Sequence, residues 1–185
     1  PEGTRSTLFH DPRRIKRGLV PNEELGAALE PGKRYTLLID GAWPDAEGVP
    51  MKSEFRKEFQ VGAVDYSQPR PEDWRIETPT AGTNAPLVIR FTKPLDHAML
   101  GRVLTVRNAK DELILGRVGI AAHETLWRFE PVSPWSDSDH VIVADATLED
   151  MAGNSIGRPF EVQLNDAPPA PESAPVVRIP FRPRK

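Results

Sequence analysis

Val141-Ile142-Val143-Ala144-Asp145, then Leu148-Glu149-Asp150-Met151-Ala152-Gly153-Asn154, then Phe160-Glu161-Val162 is the stretch on which the fold turns. Four apolar residues ahead of an aspartate suit a strand covered on both sides. The middle segment carries turn chemistry. Asp150 can accept a hydrogen bond from a backbone N–H two residues on, Gly153 tolerates positive φ, and Asn154 is among the few other residues that do. The same succession occurs earlier. Tyr35-Thr36-Leu37-Leu38-Ile39-Asp40 leads into Trp43-Pro44-Asp45-Ala46-Glu47-Gly48 and then Phe59-Gln60-Val61, in register at Asp40/Asp145, Asp45/Asp150 and Gly48/Gly153. Further upstream, Thr7-Leu8-Phe9-His10-Asp11-Pro12 loosely matches Thr125-Leu126-Trp127-Arg128-Phe129-Glu130-Pro131. The aspartates lie 105 residues apart, about the length of one β-sandwich domain. The repeat predicts two tandem copies of one module, the first without its opening half.

Short alternating runs fill the middle of the chain. They are Trp74 to Glu77, Leu87 to Thr92, Val103 to Arg107, Leu113 to Ile120, Thr125 to Glu130, His140 to Ala146 and Phe160 to Leu164. Seven short strands within about 100 residues predict an all-β, immunoglobulin-like β-sandwich. The domains expected are residues 1–62, the closing half of such a module; 63–73, a linker stiffened by Pro69 and Pro71; 74–164, a complete sandwich; and 165–185, a proline-rich tail. Within the tail, Val176-Val177-Arg178-Ile179 is able to add a strand to an open edge. Short helices are expected at Asn22 to Leu29 and Asp96 to Leu100.

Composition narrows the function. Twenty prolines in 185 residues are about twice average usage and disfavour an all-helical chain. A net charge of -3 gives no global reason to bind nucleic acid. The absence of cysteine removes disulfides, thiol nucleophiles and thiolate metal sites. No apolar run approaches the roughly 18 residues of a spanning helix. The chain starts at Pro1, so the lack of a signal pattern says nothing about compartment.

A strand ending in Asp, a short link, Asp-x-x-Gly-Asn and a last strand beginning with Phe resemble the end of a bacterial Ig-like domain of surface-layer and other exported proteins. Leu87-Val88-Ile89-Arg90-Phe91-Thr92-Lys93-Pro94-Leu95-Asp96 is similar to that family's early strand and Pro-x-Asp turn, and Trp127-Arg128-Phe129-Glu130-Pro131 to a later one. The resemblance covers roughly residues 74 to 164; in the first copy only the closing half matches, Val49 replaces the Asn, and Ile15 to Leu29 looks like an insertion. It implies a non-catalytic spacer, adhesion or docking module at the cell surface, in the periplasm or secreted. The alternative is a carbohydrate-binding module or the accessory domain of a larger hydrolase.

The candidate site residues come from the repeat. Asp45, Gly48, Asp150, Gly153 and Asn154 are expected to build structural turns. Calcium held by Asp145, Glu149 and Asp150, or by Asp40, Asp45 and Glu47, is the sharper reading, and three acids fall short of the six to eight oxygens calcium takes. His10, His97, His123 and His140 show no zinc-ligand spacing, and no nucleophile elbow or phosphate loop occurs. No catalytic residue and no cofactor is expected. Asp137 and Asp139 read as a solvated turn. The basic groups Arg13, Arg14, Lys16, Arg17 and Arg178, Arg182, Arg184, Lys185 read as a solvated loop and tail rather than as an anion site. Trp127 is expected in the core, whereas Trp43 and Trp135 flank turns, where an exposed indole would suit a polysaccharide and interdomain or loop packing is the commoner fate. The partner expected for residues 1–62 is upstream polypeptide, the second domain, the tail strand or a second chain, because an isolated two- or three-strand remnant is marginal in water.

Overall fold

The computed structural model describes residues 20–45, 47–158 and 176–185, which fall into two units, Pro1–Asp65 and Tyr66–Lys185. The first holds a short helix, α1 (Val20–Leu25), and an antiparallel hairpin of β1 (Arg34–Ile39) and β2 (Phe55–Gln60). Tyr35 faces Phe59 and Ile39 faces Phe55 across it. Apolar residues alternate along β1, which gives the hairpin one greasier face.

Seven strands form the second unit: β3 (Arg75–Glu77), β4 (Leu87–Arg90), β5 (Leu104–Asn108), β6 (Gly116–Ala121), β7 (Leu126–Pro131), β8 (His140–Asp145) and β9 (Val176–Phe181). One sheet has the order β3-β4-β7-β6 and the other β5-β8-β9, every pairing antiparallel. This is an all-β sandwich with the strand order of an immunoglobulin constant-type fold. Its core is built as alternation dictates. Leu87, Ile89, Trp127 and Phe129 point inward from the first sheet, and Leu104, Val106, Ile142 and Ala144 from the second. Each large side chain buried this way contributes about 1.5–3 kcal/mol. A one-turn helix, α2 (His97–Leu100), links β4 to β5; the Asp96 carboxylate caps it by accepting from Met99 N at 2.8 Å.

Two features bear on the sequence reading. The expected strand Phe160 to Leu164 lies outside the described residues, and the outer edge of β8 is taken by β9, from the tail segment whose Val176 to Ile179 is expected to be able to add a strand to an open edge. The pairing runs the full length of β8, from His140 opposite Phe181 to Asp145 opposite Val176. Proline at position 180 does not prevent this, because β9 is an edge strand and need donate on one side only. Beyond it, Arg184 N donates to Pro79 O and Ala81 N donates to Arg184 O, at 2.7 and 2.8 Å. The second is at the expected linker: Pro69 is buried, and Gln68 Nε2 donates to the carbonyls of Ser155 and Ile156 at 3.0 and 3.2 Å.

The β6–β7 connection is strained. Ala122, His123 and Glu124 all have positive φ, at 51, 52 and 58°, a left-handed turn of three non-glycine residues where each costs roughly 1–2 kcal/mol.

Candidate functional site

The repeated aspartates build the same turn twice. Asp45 Oδ1 accepts from Glu47 N and Val49 N at 3.0 and 2.8 Å, while Gly48 N donates to Asp45 O at 3.1 Å. Asp150 Oδ1 accepts from Ala152 N and Asn154 N at 2.8 and 2.9 Å, while Gly153 N donates to Asp150 O at 3.1 Å. Gly48 and Gly153 have φ of 83 and 84°, where a side chain would be strained. The match continues outside the turns. Asp40 Oδ1 accepts from Ala42 N and Asp145 Oδ1 from Thr147 N, both at 2.8 Å. Met51 N donates to Trp43 O, and Ile156 N to Leu148 O. Pro44 bridges Pro50 as Glu149 bridges Ser155.

The surroundings of the two turns differ. Asp150 is buried, and its Oδ2 accepts from Lys93 Nζ at 2.6 Å and from Asn154 Nδ2 at 3.2 Å. Leu95 bridges Asp150 alongside, so the Lys93-Pro94-Leu95-Asp96 turn closes onto the Asp150 turn. Asp45 is exposed and, among the described residues, has no cation within ion-pair distance. Sequence reasoning placed Lys93 and Asp150 in separate motifs and did not join them; the signal available was two turns each carrying one opposite charge.

For calcium, both oxygens of Asp150 are engaged by N–H groups and an ammonium, so an ion there has to displace Lys93. The Asp145 carboxyl is held below the usual carboxylate range by the Thr147 hydroxyl and backbone N–H. Burial, then the Asp96 and Asp150 charges, push Glu149 up. Glu149 thus sits among like charges with no cation drawing it down. Among the described residues no group of three metal-ligating side chains comes together.

The other candidates scatter. Trp127 is fully buried and donates from Nε1 to Leu100 O at 3.0 Å. Trp135, expected beside a turn, is also buried: its Nε1 donates to Ala85 O at 2.7 Å and its ring meets His140 and Phe181 edge-on. Trp74 packs edge-on against Phe91. Trp43 alone of the four is exposed, at 65%. His140 Nδ1 lies 2.7 Å from Ser138 O, and His97 pairs with Glu124. Arg178 pairs with Asp111, and Arg182 with Asp137, so two of the tail's basic groups are engaged by acids. His10 and the run Arg13 to Arg17 lie outside the described residues.

There remains the face of the hairpin. Tyr35, Leu37 and Ile39 of β1 share it with Phe55 and Phe59, the Tyr35 and Phe59 rings stacking at 6.0 Å. These positions match, strand for strand, His140, Ile142 and Ala144 of β8 with Val177 and Phe181 of β9. In the second unit His140, Ile142, Ala144 and Phe181 of that face are buried. In the first the face is half-exposed, Phe55 at 44%, and Trp43, the counterpart of fully buried Leu148, stands in solvent. The edge of β1 away from β2, which in β8 is taken by β5, is unpaired among the described residues.

No helix among the described residues is long and apolar enough to cross a membrane. No family model and no curated protein matches the chain. Among solved structures, the N-terminal part of the bacterial S-layer protein SbsC is similar at 17% identity and a TM-score of 0.35, over 44% of this chain and 21% of that one. The chain therefore spans about a fifth of the length of that structure.

Proposed function

We propose that the chain is a non-catalytic interaction module of an exported bacterial protein, built from tandem copies of an Ig-like domain of which the first is represented by its closing hairpin. The observation that carries this reading is the hairpin face: a set of positions that forms the core in one unit lies half-open in the other, on an equivalent hydrogen-bonded frame. An apolar surface of this kind is suited to docking. The buried polar groups hold the fold: Asp150 is taken up by its turn and Lys93, and no buried side-chain nitrogen or oxygen among the described residues lacks a partner. The exported setting rests on the sequence resemblance alone.

The carbohydrate alternative needs several exposed aromatics in line. Three of the four tryptophans are in the core of the second unit, so the aromatics left to such a reading are chiefly those of the first unit, exposed Trp43 and Phe55 with half-buried Tyr35 and Phe59. The test is a hydrolase screen together with polysaccharide affinity electrophoresis. The module reading expects no turnover and no retardation. Turnover abolished by one substitution in this chain, or retardation lost in Trp43→Ala, overturns it.

A further inference from the structure

We infer that the edge of β1 left unpaired among the described residues and the Asp45 turn form a docking site for the opening half of a like module, donated by polypeptide from outside these 185 residues. This rests on reading the chain as an interaction module and names its partner. The second unit shows what such a face receives. There β5 pairs antiparallel along β8, with Leu104 opposite Ala144 and Val106 opposite Ile142. Lys93, at the end of the β4 segment, reaches the buried Asp150 at 2.6 Å, and Asp96 N donates to Glu149 O at 2.8 Å.

Each receiving feature has a counterpart in the first unit. Ile39 stands for Ala144, Leu37 for Ile142, Asp45 for Asp150 and Trp43 for Leu148. Asp45 keeps Oδ1 on its own backbone, as Asp150 does, which leaves Oδ2 for a cation. The β1 edge offers main-chain groups to an extended strand, and Tyr35, Leu37 and Ile39 offer a surface for its alternate side chains. The occupant that fits is thus a β-strand with apolar residues at every second position, joined to a Lys-Pro-x-Asp turn whose lysine meets Asp45. The first unit departs from the pattern at Val49, which stands where Asn154 donates to Asp150 Oδ2, and at Lys57 of β2, which occupies the position of Ile179 in β9 and favours an acidic group on the partner there.

A peptide of residues 85–110 carries β4, the Lys93 turn, α2 and β5, and contains no tryptophan. Added to the full chain, it is expected to form a saturable one-to-one complex. Complex formation should shift Trp43 emission to the blue, with no shift in Trp43→Phe, and slow amide exchange at Tyr35 to Ile39 by about tenfold or more. Asp45→Asn keeps the oxygen that caps the turn and removes the charge, so it should weaken binding about tenfold, as should Lys93→Gln in the peptide. Three results overturn the proposal: no complex up to ~1 mM peptide; protection at His140 to Asp145 instead, which means the peptide replaces its own counterpart in the second unit; or a chain that is already dimeric with Tyr35 to Ile39 protected, which makes a second copy the occupant. Failure of the module reading shows separately, as turnover in the hydrolase screen.

Discussion

Asp45 and Asp150, 105 residues apart, accept the same pair of backbone N–H groups through the same oxygen, yet Asp150 is buried against Lys93 while Asp45 is exposed. The shared part is a turn cap, worth about 0.5–2 kcal/mol by analogy with helix caps. The unshared part is a largely desolvated ion pair, and removing one partner of such a pair costs roughly 3–5 kcal/mol, because the other is left uncompensated. Asp150→Ala should therefore lower the stability of the second unit well beyond what Asp45→Ala does to the first, in chelator and in millimolar calcium alike. Denaturant melts of both variants measure this; equal losses, or a calcium-dependent gain lost in Asp150→Ala, would contradict it.

Deleting residues 176–185 removes a strand paired along the whole of β8, the buried Phe181 ring and the Arg184 contacts with Thr78, Pro79 and Ala81. The truncated chain should lose cooperative unfolding of the second unit. A calorimetric transition unchanged by truncation would show that β9 is dispensable.

Ala122, with φ of 51°, sits in the left-handed region. Glycine relieves that strain at some loss of unfolded-chain restriction. Ala122→Gly is expected to raise stability by up to about 1 kcal/mol, and a destabilised variant would count against the left-handed turn.

The two shifted carboxylates act in opposite senses. Asp145 is depressed, so its contribution is present above the ordinary Asp range and is lost as pH falls through its lowered value. Glu149 is raised, so its protonated form is favoured and stability declines as pH climbs from the ordinary Glu range through its raised value. Glu149→Gln should consequently stabilise at neutral pH and lose that advantage below the ordinary Glu range, whereas Asp145→Asn should flatten the acid limb. Melts from pH 3 to 8 read both signs.

Much of this was legible because local chemistry is self-contained. The Asp-x-x-Gly turns use neighbours within four residues, and the alternation that placed Leu87, Ile89 and Trp127 inside is a property of single strands. Long-range choices were not. Val176-Val177-Arg178-Ile179 reads as a strand able to join an open edge, but which edge receives it, that of β8, is not written in its own residues. Trp135 reads as a packing residue beside a turn, but its partners do not show in the sequence: they are Ala85 and Phe181, 50 and 46 residues away. The Lys93–Asp150 pair needed two turns to be brought face to face, which no spacing encodes.

Amide exchange on the intact chain, in a fraction shown by sedimentation to be monomeric, compares two strands at matching positions of the repeat that differ in what covers them. Val141 to Ala144 lies between β5 and β9 and should exchange only through global unfolding of its unit. Thr36 to Ile39, whose outer edge is unpaired among the described residues and whose apolar face is half-exposed, should exchange at least ~100-fold faster. Equal protection of the two strands in the monomer would contradict an open docking face on the first unit.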